Sequence, residues 1–513
     1  MTPGRLIILV TLGFAFVLRL AISISIPNVH WPDEILQVTE PAHRIVFGTG
    51  IVTWEWLVGI RSWLLPGIFV GLMGIGRALG ESDPVFINLP GELMMATLGC
   101  LPVLCAACWG RNLYGSAGAL VAGIATACWT DLLYMSPHTL GEVVAADLLP
   151  LALYLGQPYR NQQQPTETRR FGSGFLLGLT FVVRFHLAPA LLLAAIGLCG
   201  GKTRASWLTG AGAAIPILTL GLLDWATLGS PFQSIWLNIW YNVFQGVSQE
   251  YGTEPWWALA ATIAVIWWPV LPILLVTGYC GARRMPVVGL VALAILVTHA
   301  AIPHKEYRFI YPAIPLFIAM AGVGTAAIMQ HCREYLTAHL TVPWSAAIGS
   351  ALWLVMSLDV STRPFMNPAW TRDAGFLAAY AEINRLPQIC AVATNHSVAS
   401  PGNTWLRPGV RLYQINLVDI AAPRLVHAAD SFNAIAASSK VHMTDPRFHR
   451  MGCHDGNLDE AGAVHLRICV WVRPGGCDPH AAPPPEPYWP DYFRRRMGLP
   501  RFDWGPTLSE AGP

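Results

Sequence analysis

Residues 286–329 read PVVGLVALAILVTHAAIPHKEYRFIYPAIPLFIAMAGVGTAAIM, two long apolar segments separated by a short charged break. The apolar segments, 286–302 and 309–329, are each close to the length that crosses a bilayer as a helix. Four of the five residues from His304 to Arg308 can carry a charge or a proton near neutral pH. Because charge at a membrane boundary is costly, this cluster indicates a functional site. The alternative is a plain polar loop whose Lys305 and Arg308 reach back to the interface.

The composition is that of a multi-pass membrane protein. Of 513 residues, 54% are hydrophobic and 12% are charged, about half the charged share of a soluble domain. The net charge of +2 does not suggest a nucleic-acid partner. Apolar periodicity predicts about eleven membrane helices, at 5–26, 86–108, 113–129, 134–156, 172–183, 187–200, 205–223, 257–278, 286–302, 309–329 and 342–358.

The distribution of basic residues orients these helices. If each helix crosses once and the N-terminus is inside, the basic residues in the N-terminus and the short inside connections all fall on the cytoplasmic side, as the positive-inside rule requires. These residues are Arg5, Arg111, Arg160, Arg169, Arg170, Lys202, Arg204, Arg283, Arg284 and Arg333. The same count places segments 27–85, 224–256 and 303–308 and everything after residue 358 on the outer face.

We therefore predict a membrane domain over 1–358, whose outer segment 27–85 contains amphipathic helices, and a small extracytoplasmic α/β domain with a Pro-rich tail over 359–513. Segments 390–394, 410–413 and 464–472 of this domain have the pattern of short strands. Four of the eleven cysteines, Cys390, Cys453, Cys469 and Cys477, lie there. Their number permits one or two disulfides in an oxidising compartment, and the sequence does not decide the pairing.

The first outer segment combines acids with aromatics. Trp31-Pro32-Asp33-Glu34 begins it, and Pro32 with two following acids is also what an ordinary helix start contains. A Trp-rich amphipathic segment is typical of the membrane interface, and carboxylates beside indole rings suit an enzyme that accepts a lipid-borne sugar. The other polar and aromatic candidates in this segment are Glu40, His43, Arg44, Trp54, Glu55, Trp56 and Arg61.

Several of these motifs resemble glycosyltransferase family 22, the mannosyltransferases of GPI-anchor and N-glycan assembly and their bacterial relatives. The similar stretches are WPDEILQ (31–37), EPAHR (40–44), FGTG (47–50), TWEW (53–56), RSWLLPG (61–67) and HKEYRFIYP (304–312), with a weaker match at 238–242 and 251–257. The resemblance covers about residues 5–330, and the GPI third-mannose enzymes are the most similar members. Relatives often have His where Trp31 stands and more His where Glu254 and Trp257 stand, which bears on the acceptor.

The resemblance implies a GT-C fold, a polyprenyl- or dolichyl-phosphate mannose donor, and inversion to an α-mannoside on the lumenal or periplasmic side. A glycan or glycolipid is the expected acceptor. The expected location is a bacterial inner membrane, or the endoplasmic reticulum membrane in a eukaryote. In this scheme Asp33 is the general base, with Glu34 as its rival or as the group that orients the acceptor. His304, Lys305 and Arg308 bind the donor phosphate, and Glu306 orients Arg308.

Further supporting residues are expected at the outer ends of the membrane helices, namely Arg184 and Asp224. No metal is expected, because a monophosphate donor faces basic residues already. Asp33, Glu34, His304 and Glu306 are nevertheless the set that could hold Mg²⁺ or Mn²⁺. Other possible functions are transfer of a pentose, glucose or oligosaccharide by a related enzyme, transport, and membrane anchoring of the C-terminal domain.

Overall fold

The computed structural model describes residues 3–80, 82–158, 164–336, 341–395, 401–415, 428–441, 443, 445–481 and 490–498. It is mainly helical and ends in a small mixed sheet. Most of the Pro-rich tail that the sequence predicts lies outside the described residues. Up to residue 199 the α-helices are Pro3–Ser25, Pro32–Glu34, Glu40–Phe47, Trp54–Val58, Leu64–Ala78, Pro84–Leu98, Cys100–Cys128, Thr130–Met135, Gly141–Gly156, Glu167–Val183 and Ala188–Cys199. Beyond it they are Thr203–Leu228, Gln233–Ile239, Ala258–Trp267, Leu271–Ala282, Pro286–Ala300, Tyr307–Ile310, Ile314–Leu336, Val342–Ser361, Asn367–Trp370, Ala374–Asn384 and Asp491–Met497.

The helices confirm a multi-pass membrane protein. Five helical stretches among the described residues are long and apolar enough to cross a bilayer, or six if one bent pair counts as a span. They are Pro3–Ser25, Pro84–Cys128, Thr203–Leu228, Tyr307–Tyr335 and Val342–Ser361. Three shorter apolar helices, Leu64–Ala78, Phe185–Cys199 and Pro286–Ala300, accompany them. The count of eleven crossings stays a prediction.

The longest stretch, Pro84–Cys128, is not straight. Gly115 has a φ of +66°, which glycine adopts without a steric penalty. Gly110 and Gly118 then approach so closely that neither has room for a side chain, and Gly123 packs against Ala107. The chain therefore reverses here, which agrees with the prediction of separate helices at 86–108 and 113–129.

Most predicted helices differ from the structure by a few residues at their ends, and two differ more. Segment 257–278 is not one helix but two, Ala258–Trp267 and Leu271–Ala282, bent by 110°. Pro269 has no N–H to donate, and it holds Trp268 in an extended conformation that ends the first helix. The helix predicted over 134–156 begins only at Gly141, after an extended Leu140.

Small residues bring the membrane helices together. Gly174 and Gly178 of helix Glu167–Val183 pack directly on the backbone of Thr209 and Ala213 in helix Thr203–Leu228. Gly212 of the second helix meets the backbone of Phe171 in return. Helices inside a bilayer associate through such close approach, because lipid gives them no hydrophobic driving force.

The C-terminal domain contains a five-stranded sheet, β1 (Ala391–Asn395), β2 (Arg411–Ile415), β3 (Ala434–Ser438), β4 (His449–Leu458) and β5 (Val464–Val472), in the order β2-β1-β3-β5-β4. β1 runs parallel to β2 and β3, whereas β5 runs antiparallel to β3 and β4. The three predicted strands are confirmed within about two residues. All four cysteines are paired, as Cys390–Cys477 and Cys453–Cys469.

Glu40 attaches this domain to the first outer segment. Its side chain is fully buried. One carboxylate oxygen accepts hydrogen bonds from Thr404 N and Oγ1, at 2.8 and 3.0 Å. The other accepts from Asn403 Nδ2 at 3.0 Å and from Ile51 N at 2.7 Å. The domain is thereby fixed against segment 27–85.

Candidate functional site

A cavity of about 1700 Å³ opens where the first outer segment, residues 303–309 and the C-terminal domain meet. Asp33 and Arg308 both line it, although 275 positions separate them in the chain. The sequence predicted that the charges of segments 27–85 and 303–308 share the outer face, and here they face one cavity. The predicted site residues that line the cavity are Asp33, Arg44, Trp54, Glu55, Arg61, Arg184, His304, Lys305, Glu306 and Arg308.

Asp33 is presented by a short helix that starts at Pro32. Its Oδ2 atom lies 2.6 Å from Nη2 of Arg308, and 27% of its side chain is exposed. Its Oδ1 atom has no hydrogen bond to any residue in the part of the chain that the structure describes. One oxygen of the carboxylate is therefore fixed, and the other is free for a ligand in the cavity.

Glu34 is the next residue and points the opposite way. It is 5% exposed and does not line the cavity. Its Oε1 atom accepts a hydrogen bond from His30 N at 2.6 Å, and its Oε2 atom lies 2.8 Å from Nδ1 of His138. A weaker hydrogen bond from Trp31 N, at 3.4 Å, reaches the same Oε1 atom at the helix start. Glu34 thus holds the turn that presents Asp33.

Arg308 is surrounded by carboxylates and aromatic rings. Besides Asp33, it donates from Nε to Glu306 Oε2 at 2.6 Å, and its Nη1 lies 3.9 Å from Glu142. The guanidinium lies 5.5 Å from the ring of Trp31, in a cation–π contact. With only 6% of the side chain exposed, Arg308 is a rigid part of the cavity wall.

The segment that carries Arg308 is anchored by the buried Asp131. Tyr307 donates from its hydroxyl to Asp131 Oδ1 at 2.7 Å. Asp131 Oδ2 accepts from the indole nitrogens of Trp129 and Trp267, at 2.7 and 2.9 Å. Asp131 therefore sits beneath the cavity as a structural acceptor and not in its lining.

His304 and Glu306 form a charged pair at the rim. Nε2 of His304 lies 2.8 Å from Glu306 Oε1, and Nδ1 lies 2.9 Å from the carbonyl oxygen of Gly252. The hydrogen bond with Glu306 raises the pKa of His304. Burial would raise the pKa of Glu306, but the hydrogen bond with His304 and the charge of Arg308 lower it to about 2. Acceptors at both nitrogens favour the protonated imidazole.

The other predicted ligands have protein partners. Lys305 donates to the carbonyl oxygen of Glu254 at 2.8 Å and also to that of Ile302. Arg61 pairs with Glu55 at 2.5 Å. Arg184 pairs with the buried Glu142 at 2.9 Å. Most of the charges in the cavity are therefore matched by an opposite charge.

Five predicted site residues, Glu34 among them, do not reach the cavity. Glu40 is buried at the domain junction described above. His43 donates from Nδ1 to the carbonyl oxygen of Thr49 at 2.6 Å. Trp56 donates from its indole nitrogen to Leu36 O at 3.0 Å and packs on Trp63. Asp224 is fully buried and accepts hydrogen bonds from the backbone and hydroxyl of Ser234. Each of the five satisfies local backbone or side-chain groups instead.

The set considered for a metal is not assembled. Glu34 turns away from Asp33, and His304 and Glu306 bind each other. Across the described ranges, no group of three or more His, Cys, Asp and Glu residues has an arrangement that could hold a metal ion.

The sequence did not predict the residues that the C-terminal domain adds to the cavity. These are Arg372, Asn403, Arg411, Leu412 and Tyr413. The guanidinium of Arg372 lies 4.4 Å from the ring of Trp31, on the side chain that Arg308 also contacts. No motif marks these residues, because their place depends on how the domain docks.

The fold has a counterpart among solved structures. The crystal structure of ArnT from Cupriavidus metallidurans bound to undecaprenyl phosphate superposes with a TM-score of 0.55 over 94% of this chain and 99% of that one, at 13% sequence identity. At that identity the likeness establishes the fold, which is the membrane-embedded GT-C type that the sequence predicted.

The sequence identifies the family. The profile of the Alg9-like mannosyltransferase family matches residues 9–403, and the chain belongs to that family. The match extends past the predicted range of 5–330 into the C-terminal domain, where it ends at Asn403. The resemblance recognised from the short motifs is thereby confirmed.

Individual mannosyltransferases similar to this chain share about a quarter of their residues with it over the matched regions. GPI mannosyltransferase 3 of Yarrowia lipolytica is 26% identical over 342 residues, which cover 65% of this chain and 64% of that protein. GPI alpha-1,2-mannosyltransferase 3 of Mus musculus is 26% identical over 327 residues, which cover 61% and 58%. The chain thus spans less than two thirds of the length of these relatives.

Proposed function

We propose that this protein is an inverting mannosyltransferase. It moves mannose from a polyprenyl- or dolichyl-phosphate donor to a hydroxyl of a glycan or glycolipid, and it forms an α-mannoside on the outer face of the membrane. The observation that carries the proposal is the carboxylate of Asp33, with one oxygen held by Arg308 and the other free in the cavity. Family membership supports the sugar, and the named relatives support a glycolipid acceptor.

The reaction needs one base opposite one leaving group. The acceptor oxygen attacks the anomeric carbon while Oδ1 of Asp33 takes the hydroxyl proton. The bond from that carbon to the phosphate oxygen breaks, and its electron pair leaves with the polyprenyl phosphate. A single displacement of this kind inverts the configuration. Glu34 is too well bonded and too buried to be this base, so we assign it to positioning.

The leaving phosphate gains negative charge as the bond breaks, so cations close to it lower the barrier. His304, the Lys305 ammonium and Arg308 all line the cavity. Glu306 holds two of them in place through its two carboxylate oxygens. Trp31 and Trp54 contribute to the cavity wall beside these groups.

The active face is proposed to be periplasmic in a bacterial inner membrane, or lumenal in a eukaryote. The basic residues of the short inside loops support this orientation, and the two disulfides of the C-terminal domain suit an oxidising compartment. We expect transfer to persist in excess chelator. Loss of activity that is restored by Mg²⁺ or Mn²⁺ would contradict metal independence.

The test is transfer of labelled mannose from polyprenyl-phosphate mannose to a mannosylated acceptor by purified protein. We expect Asp33→Asn to lower kcat by about 10²–10⁴, the usual contribution of a general base. Asp83→Asn is the matched control, because Asp83 is an exposed helix N-cap and Asn caps equally well. Equal turnover in the Asp33 and Asp83 variants would refute the assignment. Transfer from a pentose or glucose donor, but not from the mannose donor, would replace the proposed sugar.

A further inference from the structure

The cavity contains more positive charge than its acids neutralise. Its acidic lining residues are Asp33, Glu55, Glu250, Glu254 and Glu306. All but Glu254 lie within 4 Å of a basic side chain, and Glu254 is exposed. Three arginines in the lining, Arg44, Arg372 and Arg411, have no carboxylate that close among the described residues.

The three unmatched arginines come from three parts of the chain. Arg44 lies on helix Glu40–Phe47. Arg372 follows helix Asn367–Trp370, and its carbonyl oxygen accepts a hydrogen bond from Val29 N at 3.1 Å. Arg411 begins β2, which is an edge strand of the sheet. Docking of the C-terminal domain therefore brings Arg372 and Arg411 to the cavity that Arg44 also lines.

Trp31 holds Arg372 without neutralising it. The guanidinium lies 4.4 Å from the centre of the indole ring, a distance at which a cation is attracted to the ring face. The ring provides no hydrogen-bond acceptor at that face, so the N–H groups of Arg372 remain available. A guanidinium presents its donors in a planar fork that matches two oxygens of a phosphate group.

Arg308 is a poorer site for a further anion. Its Nη2 and Nε are already engaged by Asp33 and Glu306, so it has few donors left for an anion other than the leaving phosphate assigned to it above. The unmatched arginines combine positive charge with free donors.

We propose that Arg372, Arg411 and Arg44 form a second anion subsite, which binds a phosphate group of a lipid-linked saccharide. The proposal rests on the proposed transferase function and extends it, because it makes the C-terminal domain part of the substrate site. The phosphate belongs either to the donor lipid or to a phosphodiester in the acceptor. In both cases the ligand is the same chemical group, a phosphate ester.

Binding tests the subsite without turnover. Purified full-length protein is titrated with a short-chain polyprenyl monophosphate and, separately, with the phosphodiester lipid phosphatidylglycerol in mixed micelles. For Arg372→Gln/Arg411→Gln we expect the affinity for at least one of them to fall about tenfold or more, since a hydrogen bond to a charged group contributes about that much. Arg385→Gln, an exposed arginine of the same domain outside the cavity, is the matched control and should bind like the wild type.

Kinetics then identify the source of the phosphate. A rise confined to the KM for the donor assigns the subsite to the donor phosphate, and a rise confined to the KM for the acceptor assigns it to the acceptor. Unchanged affinity for both lipids in the folded double variant would overturn the subsite, whatever the enzyme transfers. Absence of any transfer by the wild type, with binding still weakened in the double variant, would overturn the proposed function and leave the subsite standing.

Discussion

Asp33 and Glu34 are adjacent carboxylates with opposite surroundings, and substitution of each should therefore have opposite effects on activity and stability. Asp33→Asn keeps an oxygen for Arg308, whose guanidinium still pairs with Glu306, so we expect a loss of only about 1 kcal/mol in the free energy of unfolding. Its melting temperature should stay within about 2 °C of the wild type. Its kcat should fall by about 10²–10⁴, because an amide cannot accept the acceptor proton.

Glu34→Ala should show the reverse pattern. The substitution leaves His30 N and His138 Nδ1 without their carboxylate partners in a buried place. Each lost partner costs about 1–3 kcal/mol, so we expect a loss of about 3 kcal/mol in the free energy of unfolding. One kcal/mol shifts the melting temperature of domains of 150–250 residues by about 2–4 °C, and by less in a longer chain, so a drop of about 3–6 °C is expected.

Two measurements on the same preparations decide the matter, namely thermal unfolding in detergent and initial rates of mannose transfer. Below its melting temperature, Glu34→Ala should retain kcat within about tenfold of the wild type, since the residue is far better placed to hold the turn than to meet a substrate. The reasoning would be refuted if the Glu34 variant kept its melting temperature but lost activity while the Asp33 variant stayed active. Glu34 would then be the base, and Asp33 would be the positioning residue.

Three further outcomes are expected. Glu306 raises the pKa of His304. The stabilising charge of His304 is therefore fully present below its ordinary pKa of about 6.5 and is lost as the pH rises through the raised value. In Glu306→Gln the alkaline limb of the kcat/KM profile should move to lower pH, and an unmoved limb would contradict this. Glu40→Ala leaves four donors unpaired at the domain junction and should make the C-terminal domain a target of limited proteolysis, whereas cleavage at the wild-type rate would show that the junction does not depend on Glu40. The Cys390–Cys477 disulfide closes a loop of 87 positions, so its loss should destabilise the C-terminal domain by about 4–5 kcal/mol on the loop-entropy scale. The variant with both cysteines replaced by Ser should have a lower melting temperature, and an unchanged melting temperature would argue against that value.

The sequence was sufficient to bring the two halves of the site together. Only two features were needed. One is the apolar segments of membrane length, and the other is the side on which Arg and Lys accumulate. Both depend on the bilayer as a solvent. They placed Asp33 and Arg308 on the same outer face. Segment lengths and charge do not predict in which direction a side chain points around the axis of its helix. Consecutive helical residues point about 100° apart, and only the positions of His30 and His138 decide that Glu34 turns inward.

The C-terminal domain was harder to predict. β3 is a fully buried run of mostly small residues, and β4 contains two glycines and several charges, so neither shows the alternation of a half-buried strand. Arg372 and Arg411 carry no local signal at all, because their role comes from docking. The predicted helix over 257–278 failed for a different reason, since apolar character continues across Pro269 although the backbone hydrogen bonding does not.

The link between Glu40 and the C-terminal domain sets the order in which the protein matures. Glu40 is synthesised 363 residues before Asn403, to which it hydrogen-bonds. Until residues 403 and 404 have left the ribosome, that carboxylate lacks three of its four donors and must remain hydrated, since burying it unpaired would be prohibitively unfavourable. The cavity therefore cannot close before residues 403 and 404, about four fifths of the way along the chain, have been synthesised. A nascent chain halted after its last membrane helix would be inserted in the bilayer and yet unable to assemble the chamber above it.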